Sequence, residues 1–259
     1  MKLNFKKVIC LAFLLPLMIG QAFAWGQTGH RVVGLVAEQH LKKKVRKKVM
    51  QVLQNNSLAE VSTWMDDIKS DTAYNHTHDW HWVTIPDNTT YEQTTKNPKG
   101  DLVMKLEDVI AALKAKNLSK EKEQEYLKYL VHLLGDLHQP LHVGGKDDNG
   151  GNSVRLQWFG QNSNLHRVWD SDIIDGKDLS YSELAYFLGD ASQQEMKSWQ
   201  AGSIKDWAYG MMVYRPQVYN LPPDLKLGYK YAYQNYSTIE KCLLQAGLRL
   251  AGVLNEIYG

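Results

Sequence analysis

The sequence predicts a mainly α, single-domain protein with a small β-ribbon. Two observations carry this prediction. Apolar residues recur at helical spacing through most of residues 25–259, while alternating, β-rich residues are confined to two short runs, "DWHWVTIP" and "SVRLQWF". No repeat, low-complexity tract or linker divides residues 25–259, and a span of that size can bury one sizeable core.

Taken in order, residues 1–24 read as a secretory signal peptide. Lys2, Lys6 and Lys7 form a positive start, "VICLAFLLPLMIG" is an apolar run too short to span a membrane comfortably, and Ala22-Phe23-Ala24 carries small residues where a signal peptidase reads. Cleavage is expected between Ala24 and Trp25. "HRVVGLVAEQHLKKKVRKKVMQVLQ" then has helical apolar spacing with a lysine-rich outer face, read as a solvated face. "LAEVSTWMDDIKS" is a shorter helix, and "DWHWVTIP" a short strand stopped by Pro86. "DLVMKLEDVIAALKAK" and "KEKEQEYLKYLVHLLGDLHQ" are helices, the second ended by Pro140. "VGGKDDNGGN" is a loop, "SVRLQWF" a strand and "GQNSN" a turn. "LHRVWDSDII", "YSELAYFLGDASQQEMKSWQ", "IKDWAYGMMVY" and residues 228–257 complete a mostly helical chain. The two strand runs are expected to pair as the ribbon.

The bulk numbers narrow the function. Removing a segment with three lysines and no acids leaves 27 basic against 28 acidic residues. That is not the coat of a general polyanion binder, so any nucleic acid must be held by something local. Of the two cysteines, Cys10 falls in the signal and only Cys242 remains. With no intramolecular disulfide to form, stability must come from packing or from metal.

The nine histidines are not evenly spread. In "HLLGDLHQPLH" His132 and Asp136 are four residues apart on a predicted helix, so they project from one face about 40° apart and can reach one metal. Pro140 ends that helix and frees His142 to point elsewhere. His166 and Asp170 in "LHRVWD" repeat the spacing. Sites rich in His and Asp suit zinc, which accepts imidazole nitrogen and carboxylate oxygen together. His138 lies about 240° around the helix from His132 and is expected to make a supporting hydrogen bond to a ligand. His40, His76 and His78 have no partner at ligand spacing and read as structural or solvated.

"WGQTGH", "WMDDIKSD", "WHWVTIPD", "HLLGDLHQPLH", "GGN" and "NLHRVWD", in this order, resemble the zinc-dependent single-strand nucleases of the S-one/P-one family, within the wider zinc phospholipase C/nuclease superfamily. The resemblance implies that superfamily's helical fold and three zinc ions. One would be held by Asp66, His81, His132 and a bridging Asp136. A second would be held by the free α-amine and carbonyl of Trp25, by His30 and by the other oxygen of Asp136. A third, open to substrate, would be held by His142, His166 and Asp170. Asp66 is taken over Asp67, which reads as the solvent-side residue. An α-amine ionises near pH 8, so it can become a ligand at modest cost, but only once the signal is removed. The five histidine ligands must be neutral to bind, so metal is expected to leave in acid ahead of general unfolding.

The implied activity is that of a secreted or periplasmic endonuclease and 3′-nucleotidase. It would cleave RNA and single-stranded DNA to 5′-phosphate products by metal-activated water, with Asp66, Asp136 and Lys69 as its catalytic residues. Lys69 stands where the family commonly has arginine, keeping the charge while losing the planar fork. Trp82 corresponds to an aromatic that stacks on a base, Thr84 stands where fungal members carry a base-binding aspartate, and Asn152 is placed beside the third zinc. Metal and stacking would replace a basic groove. A single-stranded nucleic acid or nucleotide is the expected partner of a monomer without a membrane anchor. A zinc phosphodiesterase of the phospholipase C type and a non-enzymatic zinc protein are the alternatives.

Overall fold

The computed structural model describes residues 25–259; the expected signal peptide lies outside the described residues. The chain runs through α1 (Gln27–Gln39), α2 (Lys43–Val52), α3 (Leu58–Val61) and α4 (Trp64–Asp67), then through 3-10 turns at Ile68–Ser70 and Thr72–His81 into β1 (Val83–Thr84). It continues as α5 (Leu102–Ala115), α6 (Lys120–Leu137), β2 (Val143–Gly144), β3 (Arg155–Trp158), β4 (Gln161–Asn164) and α7 (Leu165–Arg167). After a π-turn at Val168–Asp172 come α8 (Ile173–Asp175), α9 (Tyr181–Phe187), α10 (Gln193–Gln200), α11 (Ile204–Met212), α12 (Arg215–Val218), β5 (Lys226–Leu227) and α13 (Tyr229–Tyr258). The mainly helical class expected from the sequence holds.

The centre of the molecule is α6. Every residue from Tyr129 to Leu137 is buried, so this half of the helix is surrounded rather than amphipathic. Its polar members, His132 and Asp136, are therefore in the core alongside Leu130, Leu133, Leu134 and Leu137. Helix α1 buries Val32, Val33, Val36 and Ala37, and α13 buries Leu243, Ala246, Leu250 and Leu254. Close approach between α1 and α3 depends on Gly34, where a Cβ would come within 2.6 Å of the Leu58 carbonyl.

Three expectations need correction. The long first helix is two helices, α1 and α2. No glycine or proline breaks it; instead Asn255 on α13 accepts from the Lys42 N–H at 2.9 Å and donates to the His40 carbonyl at 3.2 Å. A tertiary side chain thus satisfies the backbone groups that the break frees. Second, the two predicted strands do not pair with each other. β1 lies parallel to β2, and β3 pairs antiparallel with β4 and parallel with β5. Third, "GQNSN" is not a turn but contains β4. The reversal is the two-residue pair Phe159-Gly160, with φ of 47° and 80°, the left-handed pair that a tight hairpin requires. Much of "DWHW" is helical turn, begun where the Asp71 carboxylate accepts from the Ala73 N–H.

Gly34→Ala should destabilise the protein by about 1–3 kcal/mol, because the obstructing atoms are backbone and cannot swing away. The shift in urea midpoint at unchanged slope would measure it; an unchanged midpoint would show that α1 and α3 have room to separate.

Candidate metal centre

Four stretches converge on α6. Helix α1 brings His30 against it, and the approach is possible because Gly135 has no side chain: a Cβ there would lie 2.8 Å from His30 Nδ1. The His30 and His132 rings stack with centroids 4.0 Å apart. Helix α4 supplies Asp66, which is buried while Asp67 is exposed, as expected. The turn before β1 supplies His81. Parallel pairing of β1 with β2 then sets His81 beside His142, whose Nδ1 donates to the His81 carbonyl at 2.6 Å. The π-turn after α7 turns Asp170 inward beneath His166.

Asp136 is the hub. Its Oδ1 lies 3.2 Å from His30 Nε2, while its Oδ2 lies 2.9 Å from His81 Nδ1 and 3.4 Å from His132 Nε2. The two oxygens thus face different partners, the arrangement a bridging carboxylate needs. Three sets of potential ligand atoms converge among the described residues: His30, Asp66 and His132; His81, His132 and Asp136; His142, His166 and Asp170. The third set matches the expected triad residue for residue. In the first two, His132 reaches both His30 and His81.

These residues fit a metal. His132, His142 and His166 each commit Nδ1 to a carbonyl, of Ser62 at 2.7 Å, His81 at 2.6 Å and Gly150 at 2.6 Å, which turns Nε2 inward. The inward Nε2 of His30 and His142 and the Asp136 Oδ1 are buried and make no hydrogen bond among the described residues. Buried polar atoms without partners are costly unless something else satisfies them, and a cation would.

The electrostatics agree. Burial pushes His81 down to about 4 and His142 down to about 3, holding both neutral. His30 is also lowered, by burial and then by the neighbouring His132. Burial works against the Asp136 charge, but His132, His30 and His81 hold it well below the usual carboxylate range. Asp170 is pushed up to about 6 by burial, against the pull of His166 and Gln139. Protons therefore compete for His81 and His142 only in more acid solution than their ordinary pKa implies, which tempers the expected acid sensitivity.

Beside the histidines lies a cleft of about 850 Å³, lined by His81, His142 and His166 together with Lys69, Trp82, Thr84 and Asn152. All four substrate-side residues expected from the sequence are thus gathered in one place. Lys69 Nζ pairs with Asp66 Oδ1 at 2.6 Å. His138 corrects an expectation. It contacts no ligand; its Nδ1 donates to the Leu134 carbonyl at 2.7 Å and its Nε2 accepts from Arg249 at 2.8 Å, tying α6 to α13. Sequence reasoning also missed Gln139, whose amide donates to Asp170, and Arg215, which donates to the Val143 carbonyl and Asp87 and so braces β2. His78, read as structural or solvated, is exposed but also lines the cleft, edge-on to Trp82 with centroids 5.3 Å apart.

Buried His/Asp clusters that could hold metal ions, opening into a cleft beside Trp82, are the kind of site a metal-dependent hydrolase uses. The S1/P1 nuclease family profile matches residues 25–259, and the chain belongs to that family of nucleases acting on nucleic acid. It is 29% identical to Endonuclease 3 of Arabidopsis thaliana over 95% of this chain and 92% of that protein. It is 25% identical to Nuclease P1 of Penicillium citrinum over 91% and 98%, and 27% identical to Nuclease S1 of Aspergillus oryzae over 75% and 70%. The match separates the chain from the phospholipase C-type and non-enzymatic alternatives. No helix among the described residues is long and apolar enough to cross a membrane.

Metal-free protein should gain stability as pH rises from about 4 to 6.5. In that window the unfolded chain binds protons that folded His81 and His142 refuse, so stability climbs with pH. Asp170 acts in the opposite sense between 3.8 and about 6, and His132, raised by Asp136 and Asp66 against burial, opposes the rise from the top of the window upward; below it, His81, His142 and His30 outweigh Asp170. A slope of the order of 1 kcal/mol per pH unit in chelator-treated protein is expected. A flat or falling profile would contradict the burial of neutral histidines.

Proposed function

We propose that the chain is a secreted, monomeric, three-zinc endonuclease and 3′-nucleotidase that cleaves RNA and single-stranded DNA to 5′-phosphate products. The observation that carries this reading is the union of three converging ligand sets with one aromatic cleft. His142 and His166 reach the cleft wall, which supports the set with Asp170 as the one open to substrate. The residues holding zinc would be Trp25, His30 and Asp136; Asp66, His81, His132 and Asp136; and His142, His166 and Asp170. Bound zinc supplies Lewis acidity at the phosphate and makes water nucleophilic near neutral pH.

The chain's own residues do the rest. Asp136, shared between histidines, orients the paired sets. Asp66 anchors Lys69 at the cleft wall, where its charge meets charge developing on the phosphate. Trp82 offers a π-face that accepts any unpaired base, and a duplex hides those faces in its own stack. Thr84 presents a neutral hydroxyl to the base edge, and Asn152, its amide donating to the Asn149 carbonyl at 3.0 Å, sits at the cleft beside His142 and His166.

The role of Trp25 rests on position. Its side chain is fully buried, and the Gly26 N–H donates to the Asp170 carbonyl at 2.7 Å, so this end of the chain is fastened to the ligand framework. Protein beginning at Trp25 should be active, whereas protein extended by a methionine or a tag turns the α-amine into an amide and should lose zinc and at least about tenfold in turnover. Equal zinc content and equal turnover in the two forms, on a panel of RNA, single-stranded DNA and 3′-nucleotides, would remove Trp25 from the ligands.

Trp82→Ala should raise KM for single-stranded DNA by the equivalent of about 1–3 kcal/mol while leaving bound metal unchanged. An unaltered KM would mean that the indole serves only to pack against His78.

A further inference from the structure

We propose that Gln139 is the positioning residue for the open ligand set: its carboxamide holds Asp170 Oδ1 and leaves Oδ2, beside His166, as the oxygen offered to an ion. This rests on the metal reading of His142, His166 and Asp170 given above.

Gln139 is fully buried. Its carboxamide has only one usable orientation, because Oε1 accepts from the Leu141 N–H at 2.5 Å. The amide nitrogen is therefore turned to Asp170 and donates to Oδ1. An NH₂ group cannot accept, so Oδ1 is committed as an acceptor and the carboxylate cannot rotate without losing that bond. The other oxygen, Oδ2, lies 2.9 Å from His166 Nε2, whereas His142 Nε2 stands 3.8 Å from Oδ1.

The backbone of the same residue ties the open set to the hub. The Gln139 N–H donates to the Asp136 carbonyl at 3.0 Å, and the Gln139 carbonyl accepts from the His142 N–H at 2.9 Å. Gln139 thus sits in the turn between the last ligand of α6 and His142, while its side chain reaches the third member of the triad, 31 residues further along the chain. A residue with these three attachments sets the relative placement of Asp136, His142 and Asp170. Hydrogen bonds to ligating carboxylates orient them, and losing one costs about 10–100-fold in metal affinity.

The test measures zinc release directly. Processed protein is loaded with zinc, and release to a chromophoric chelator is followed in wild type, Gln139→Met, Gln139→Asn and His166→Ala. Methionine keeps the volume but cannot donate; asparagine keeps the amide but is one methylene too short to reach Asp170. The expected result is that one class of zinc leaves tenfold or more faster in both Gln139 variants, the remainder leaving at the wild-type rate. Cobalt loaded in place of zinc should show a changed visible spectrum for that class alone. If Gln139→Met does not fold, Gln139→Asn carries the test. Wild-type release in the Gln139 variants, with zinc lost from His166→Ala, would overturn the proposal, even if metal-free stability fell. Wild-type zinc binding in His166→Ala would instead overturn the metal reading on which it rests.

Discussion

A carboxylate with no exposed surface sits at the middle of this protein, and the structure is arranged around it. Asp136 lies on the fully buried half of α6, where an uncompensated charge would cost several kcal/mol. Its neighbours show how the cost is met. His30 comes from α1, across a helix crossing that Gly135 permits; His81 comes from the turn before β1; His132 lies one helical turn back on α6. Yet burial keeps His30 and His81 from taking up a proton readily, so they offer lone pairs rather than positive charge. His132 differs: burial lowers it, but Asp136 and Asp66 outweigh burial and raise it, so in the metal-free protein it shares charge with Asp136 while His30 and His81 stay neutral and available to a cation. Among the described residues Cys242 is free, so no disulfide joins them.

The same logic explains why the site is made of distant pieces. A parallel two-strand contact of two residues each, β1 on β2, adds little stability of its own. Its effect is to fix register: Val83 opposite Val143 puts Trp82 level with His142 and His81 one residue before it, and the His142 ring donates to the His81 carbonyl. Arg215 braces the outer side of β2 through the Val143 carbonyl, and Gly145 must lack a Cβ for the guanidinium to fit. The cleft is lined where β1, β2 and the loop after β2 meet the Trp82 indole.

Much of the candidate site could be read from the sequence because helix geometry is local. Four-residue spacing carries His132 with Asp136 and His166 with Asp170, and Pro140 announces the turn that frees His142. Asp66 is separated from Asp67 by the family resemblance, as the first acid after "WM", and the structure buries it while leaving Asp67 exposed. What stayed hidden depends on tertiary partners. The break between α1 and α2 is made by Asn255, more than two hundred residues away, and leaves no trace in the local pattern. Strand partners were misread because strands of two to four residues carry too few side chains to specify a mate. Gln139 was passed over because a glutamine beside a proline resembles an ordinary helix end; only the fold reveals that it faces Asp170. His138 was read as a support for the ligands because helical angle alone cannot tell that Arg249 lies across from it.

The central claim is that nine residues, beginning with Trp25, hold three zinc ions around Asp136. Anomalous diffraction at the zinc edge, on crystals of protein processed to Trp25, tests it most directly. The account predicts three peaks: one beside His30 and the Trp25 backbone, one among Asp66, His81 and His132, and one among His142, His166 and Asp170, with Asp136 between the first two. Fewer than three peaks at full occupancy, or a peak beside His30 with the Trp25 amine turned away from it, would contradict it.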